Sequence, residues 1–87
     1  MHRRDFEREM HRAQAMRSAG DRPDYWAGYQ RGLRRAYHGG RFGTAEEHAF
    51  WITQAESNDP MRSERGRGYR DGLEVGAAPP VHGSGPC

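Results

Sequence analysis

The hexapeptide GYQRGL at residues 28–33 returns forty residues later as GYRDGL at 68–73. Both copies place two glycines one helical turn apart, beside a tyrosine and a leucine, in stretches that otherwise read as amphipathic helix. Glycine in a helix interior costs about 1 kcal/mol relative to alanine, so Gly28, Gly32, Gly68 and Gly72 together cost about 4 kcal/mol, a large share of a small domain's stability. Packing must offset that cost. On a helical wheel Gly28, Gly32 and Ala36 form a small-residue strip beside Tyr25, Tyr29, Leu33 and Tyr37, and Gly68, Gly72 and Gly76 form one beside Tyr69 and Leu73. Two helices with such strips can approach closely and gain dispersion contacts that larger residues would prevent. The expected arrangement is that these helices pack on each other, each tyrosine covering the other's bare backbone. Exposed strips that receive a second copy of the chain are the alternative, giving a homodimer.

The match extends beyond the hexapeptide. Arg22 corresponds to Arg62, Asp24 to Glu64, and Gln14-Ala15 to Gln54-Ala55. Helix punctuation divides the chain accordingly. A first helix runs from about Arg3 to Ser18, with Phe6, Met10, Ala13 and Arg17 on one face, opposite charges at i,i+3 (Arg4/Glu7, Asp5/Arg8, Glu9/Arg12) and Gly20 as its stop. The second takes Asp21 as cap and Pro23 in its first turn and ends at Gly39-Gly40. Thr44 and Glu47 form a capping box ahead of a third helix through Phe50, Trp51 and Ala55. Asp59 and Pro60 open a fourth, which stops near Gly76. The predicted fold is all-α, two αα-hairpins of four short helices forming one domain over 1–76. Residues 77–87, GAAPPVHGSGPC from Gly76 onward, read as a disordered tail.

Composition narrows function. Eighty-seven residues, 33% of them hydrophobic and 30% charged, leave little room for a deep substrate cavity. All fourteen basic residues are arginine, as a GC-rich genome would give, and the net charge is only +2. The lone cysteine, Cys87, leaves no disulfide framework and no thiolate metal site. No apolar run approaches the ~20 residues of a membrane span, and MHRRDFEREMHR lacks the apolar core of a secretory signal, so the expected location is the cytoplasm, away from membranes. Histidines 2, 11, 38, 48 and 82 show no metal-ligand spacing, and His48 beside Glu46 and Glu47 sits where acids favour the helix dipole anyway. GRGYRDG follows no buried strand, which removes the dinucleotide reading. The expectation is a protein that binds, with no catalytic residue, cofactor or metal.

The binding face is expected on the second helix. Arg31, Arg34, Arg35 and His38 recur at i, i+3, i+4 and i+7, with Arg41 just beyond, so their charges project together. Such a row can neutralise phosphates or grip an acidic protein surface through guanidinium pairs. The corresponding face of the fourth helix, Arg67, Asp71 and Glu74, is of mixed sign. One of the neighbours Phe50 and Trp51 must point partly away from the seam, and Trp51 beside the arginines is the expected interface anchor.

Gly28, Tyr29, Gln30 and Gly32, followed by Gly68, Tyr69 and Arg70, give the chain a resemblance to the ribosome modulation factor family, small bacterial and phage proteins built on a GYxxG helix. The family's Cys-Pro-Tyr turn is Asp59-Pro60-Met61 here, and the third helix is inserted between the two elements. The resemblance implies docking on small-subunit ribosomal RNA. Tetratricopeptide and Sel1-like repeats share the period and a YxxG step. Two expectations follow. One is a small stoichiometric inhibitor or adaptor docking on a host protein or nucleoprotein complex, of the kind phages and mobile elements encode, inhibitors of CRISPR effectors included. The other is a ribosome-associated or other RNA-binding protein.

Overall fold

The computed structural model describes residues 1–39 and 43–77, and among them the secondary structure is entirely helical: α1 (Arg3–Ser18), α2 (Pro23–His38), α3 (Ala45–Gln54) and α4 (Pro60–Ala77). Helix α4 takes in Ala77, the first residue assigned to the tail, while 78–87 lie outside the described residues.

Local signals explain most boundaries. Gly20, at φ 79°, ends α1: its N–H donates to the carbonyl of Arg17 and that of Asp21 to Met16, which satisfies two of the helix's orphan acceptors. Asp21 is not the cap of α2: the cap position falls on Arg22, and no side chain caps the helix. The turn is made one residue later by Arg22, in the left-handed region at φ 50°, whose carbonyl accepts the first bond of α2 from Trp26 at 3.1 Å. That conformation costs a non-glycine residue about 1 kcal/mol. Its side chain gives some return, donating to Glu64 of α4 at 2.8 Å and lying 4.2 Å over the Tyr25 ring. The capping box of α3 forms as expected, with Thr44 N donating to Glu47 at 2.9 Å and Glu47 N to Thr44 at 3.1 Å. Asp59 caps α4 by accepting from Met61 N at 3.1 Å. On α1, Asp5–Arg8 and Glu9–Arg12 form, whereas Glu7 takes Arg3 rather than Arg4.

Helices α2 and α4 form the central seam, and they run parallel. A Cβ built on Gly28 would lie inside the carbonyl of Arg65, and one on Gly32 inside that of Tyr69. Reciprocally, a Cβ on Gly68 would strike the Tyr25 carbonyl and one on Gly72 that of Tyr29. Adding forty to each glycine and subtracting forty from its partner turns the first two contacts into the last two, so an approximate two-fold axis runs along the seam. The close contact is backbone on backbone, the geometry that favours Cα–H···O interactions between helices. The rings of Tyr29 and Tyr69 do not cover the opposing glycines. They turn outward, Tyr29 donating to Glu9 of α1 at 2.7 Å and Tyr69 lying 2.7 Å from His48 Nδ1 of α3.

Each flanking helix packs antiparallel on its own partner. Phe6 stacks on Tyr37 at 4.2 Å, and Gln30 donates to the Met10 carbonyl at 3.1 Å, which fixes α1 against α2. On the other side Trp51 stacks on Tyr69 at 5.9 Å, and the backbone of Gln54 and Ala55 lies directly on Gly66. Position 66 corresponds to Trp26, so a tryptophan spaces α1 from α2 where a bare glycine lets α3 touch α4. Among the described residues the buried apolar side chains are few: Ala13, Tyr29, Leu33 and Tyr69. Leu73, expected to match Leu33, is only half-buried.

Candidate docking surface

Helix α2 carries the predicted basic row, and the structure divides it. Arg31 is half-buried, its guanidinium 4.9 Å over the Trp51 ring and 3.7 Å from Glu47. Arg34 is exposed. Arg35 reaches back to the carbonyls of Gly43 and Thr44 at 3.4 and 3.5 Å. His38 is exposed and lies edge-on to Phe6 and Tyr37, at 5.5 and 5.1 Å. Arg41 lies outside the described residues. Trp51 is half-buried between Tyr69 and Arg31, so the projecting member of the aromatic pair is Phe50, which is 56% exposed.

Arg31 and Arg34 enter a cleft of about 380 Å³ that sequence reasoning did not find. Arg17 from the end of α1 and Arg65 from α4 line it too, together with Trp51 of α3 and a single carboxylate, Asp24. Two of its cations are held in place: Arg65 donates to Asp24 at 3.1 Å, and Arg17 donates to Gln30 Oε1 at 2.7 Å. Gln30 is only 4% exposed, and its amide nitrogen is spent on the Met10 carbonyl and, at 3.3 Å, on Gln14. Its remaining role is to aim Arg17. No local pattern announces this cleft, because its arginines come from three helices. The nearest signal was the forty-residue correspondence, which ties residues 24–34 to 64–74.

The two-fold axis produces a second cleft, of about 400 Å³, on the opposite side of the seam. Arg67, Arg70, Asp71 and Glu74 occupy there the positions held by Ala27, Gln30, Arg31 and Arg34, and Tyr25 stands where Arg65 stood. Two of the four arginines of one rim are thus acids in the other. Arg22 adds a cation, but the second cleft remains of mixed sign.

The perturbed ionisable groups all stay in their ordinary state at neutral pH. Burial first, then donation to Glu9, pushes the Tyr29 phenol up to about 12; burial and the hydrogen bond to Asp71 do the same for Tyr25. Burial raises Tyr69. Hydrogen bonding to Glu9 raises Arg12, and the Arg22–Glu64 bond raises the guanidinium and lowers the carboxyl. Each shift deepens a structural contact, and none readies a nucleophile or base near pH 7. Among the described residues no group of three or more His, Cys, Asp or Glu could hold a metal ion, and no helix is long and apolar enough to cross a membrane.

The glycine strips are covered inside the chain, Gly28, Gly32, Gly68 and Gly72 all being buried, so they offer no surface to a second copy. Comparison with models of known protein families, with curated proteins and with solved structures gives no match.

Proposed function

We propose that this chain acts by binding alone, as a small stoichiometric inhibitor or adaptor that docks on a macromolecular complex of its host. Mobile genetic elements make use of such proteins. The observation that supports the reading is charge asymmetry on a symmetric scaffold: Arg31 and Arg34 line one cleft where Asp71 and Glu74 line its counterpart. A fold that needed only solubility has no reason to sort its signs this way. The basic side also carries the aromatic surface of α3, with Phe50 exposed beside Trp51, and an exposed aromatic next to arginines is the composition of an interface centre.

The test is capture from a native bacterial lysate with the tagged chain, with and without ribonuclease, against an Arg34→Glu, Arg35→Glu variant whose helicity is checked by circular dichroism. The proposal expects a partner that survives ribonuclease and is lost with the folded variant. Ribosomal proteins that vanish after ribonuclease would replace it with the RNA-binding reading. A folded variant that keeps every partner would remove the basic face from function altogether.

A further inference from the structure

The basic cleft is better built than a docking face requires. Four arginines line it against one carboxylate, and the cations are restrained before any partner arrives: Arg17 by Gln30, Arg65 by Asp24, Arg31 between the Trp51 ring and Glu47. A buried glutamine whose free acceptor serves only to orient a guanidinium is an unusual use of core space in so small a protein. Guanidinium groups held in advance lose little freedom on binding, which is how preorganised sites gain affinity.

We infer that this cleft is a binding site for a phosphate monoester, seated among Arg17, Arg31, Arg34 and Arg65. A carboxylate offers two coplanar oxygens and is satisfied by one guanidinium fork. A phosphate monoester offers three terminal oxygens and a charge of about −1.5 to −2, so several arginines can engage it at once. A phosphodiester carries one charge and engages fewer guanidinium groups than a monoester does, whereas this cleft gathers side chains from all four helices. The volume of about 380 Å³ exceeds a bare phosphate and leaves space for an organic body against Pro23, Ala27 and Trp51. The opposite cleft is an internal control. With Asp71 and Glu74 in place of Arg31 and Arg34, it offers the same group acids where the basic cleft offers cations.

The inference rests on the proposed docking face only in sharing Arg31 and Arg34; it names the chemistry at the concave end of that face. The ester can come from a free phosphorylated small molecule or from a phosphorylated side chain of a partner. Its test is a titration of the full chain by calorimetry and by two-dimensional NMR, which needs no partner and so fails or succeeds independently of the capture experiment. The probes are phenyl phosphate, a phosphoserine peptide with its unphosphorylated twin, and a single-stranded oligonucleotide without terminal phosphates.

Saturable binding of phenyl phosphate is expected, with shifts at the Arg17 and Arg65 side chains and the Trp51 indole. Arg34→Gln should weaken it about tenfold, the loss expected for one charge-assisted contact, while Arg67→Gln in the opposite cleft leaves it unchanged. A phosphoserine peptide that binds more tightly than phenyl phosphate places the ester on a partner protein; one that binds equally or less tightly places it on a free small molecule. Both outcomes uphold the site. Absence of saturable binding, equal response to Arg67→Gln, or tighter binding of the oligonucleotide than of either monoester would overturn it.

Discussion

The two hairpins share one packing rule and diverge wherever a side chain leaves the seam. Along the axis, Gly28 and Gly32 meet α4 as Gly68 and Gly72 meet α2, each against a carbonyl of the other helix. Off the axis the halves differ in size and sign. Trp26 holds α1 away from α2 where Gly66 admits the backbone of α3, buried Gln30 corresponds to exposed Arg70, and a basic cleft corresponds to a mixed one. A backbone contact has no tolerance for a single added carbon, whereas an exposed position such as 34 can change charge with little effect on stability. The seam therefore keeps the symmetry, and the surface is free to acquire a function on one side only.

Gly28→Ala and Gly68→Ala test that rule most severely. Each introduces a Cβ into an opposing carbonyl and should cost about 2–3 kcal/mol in urea unfolding, overpacking outweighing the ~1 kcal/mol gain in helix propensity. Equal losses sharpen the two-fold relation; a difference above about 1 kcal/mol, beyond ordinary context effects, would break it.

The flanks should respond unequally. Trp26→Ala is expected to cost about 2 kcal/mol, below the range for a fully buried tryptophan because the residue is half-buried. Gly66→Ala instead places a Cβ 2.5 Å from the Gln54 carbonyl carbon and should lift α3, seen as faster amide hydrogen exchange over residues 45–54 with α1 unchanged. Equal loosening of α1 would mean that the halves are coupled more tightly than their packing suggests.

Alkali gives a smaller graded effect. Tyr25 and Tyr29 have folded-state pKa values raised from 10.0 to about 12, so their protonated forms stabilise the fold fully below pH 10, and that contribution is lost as pH rises towards about 12. Thermal midpoints should fall across that window, and Tyr29→Phe should flatten the fall. The least effect belongs to one cap: Thr44→Ala removes the α3 capping box at about 1 kcal/mol.

The sequence made the helices legible because their signals are local. Gly20, the Thr44/Glu47 box and Asp59-Pro60 act within one turn, and the repeat itself foretold that α2 and α4 would meet. Asp21 misled because the turn between the helices runs one residue further than its capping chemistry suggested, to Arg22 in the left-handed region. Which member of the Phe50/Trp51 pair projects was not legible, because exposure within an aromatic pair depends on which neighbour the other helix presents, here Tyr69. The arginine row was visible, but its partners Arg17 and Arg65 were not, since they reach the cleft only after both hairpins have closed around the seam.

Seam contacts also differ from hairpin contacts in their reach along the chain. Gly28 meets a residue 37 positions ahead and Gly68 one 43 behind, whereas each hairpin joins segments much nearer in the chain. Helix pairs of low sequence separation form quickly, so each hairpin is expected to form before the seam between them closes. Doubling the connection between His38 and Ala45 should slow folding only a few-fold, about 0.6 kcal/mol of loop-closure entropy. Until the seam closes, both hairpins expose bare glycine backbone, which leaves the half-folded chain more open to hydrogen exchange and to proteolysis than the folded one.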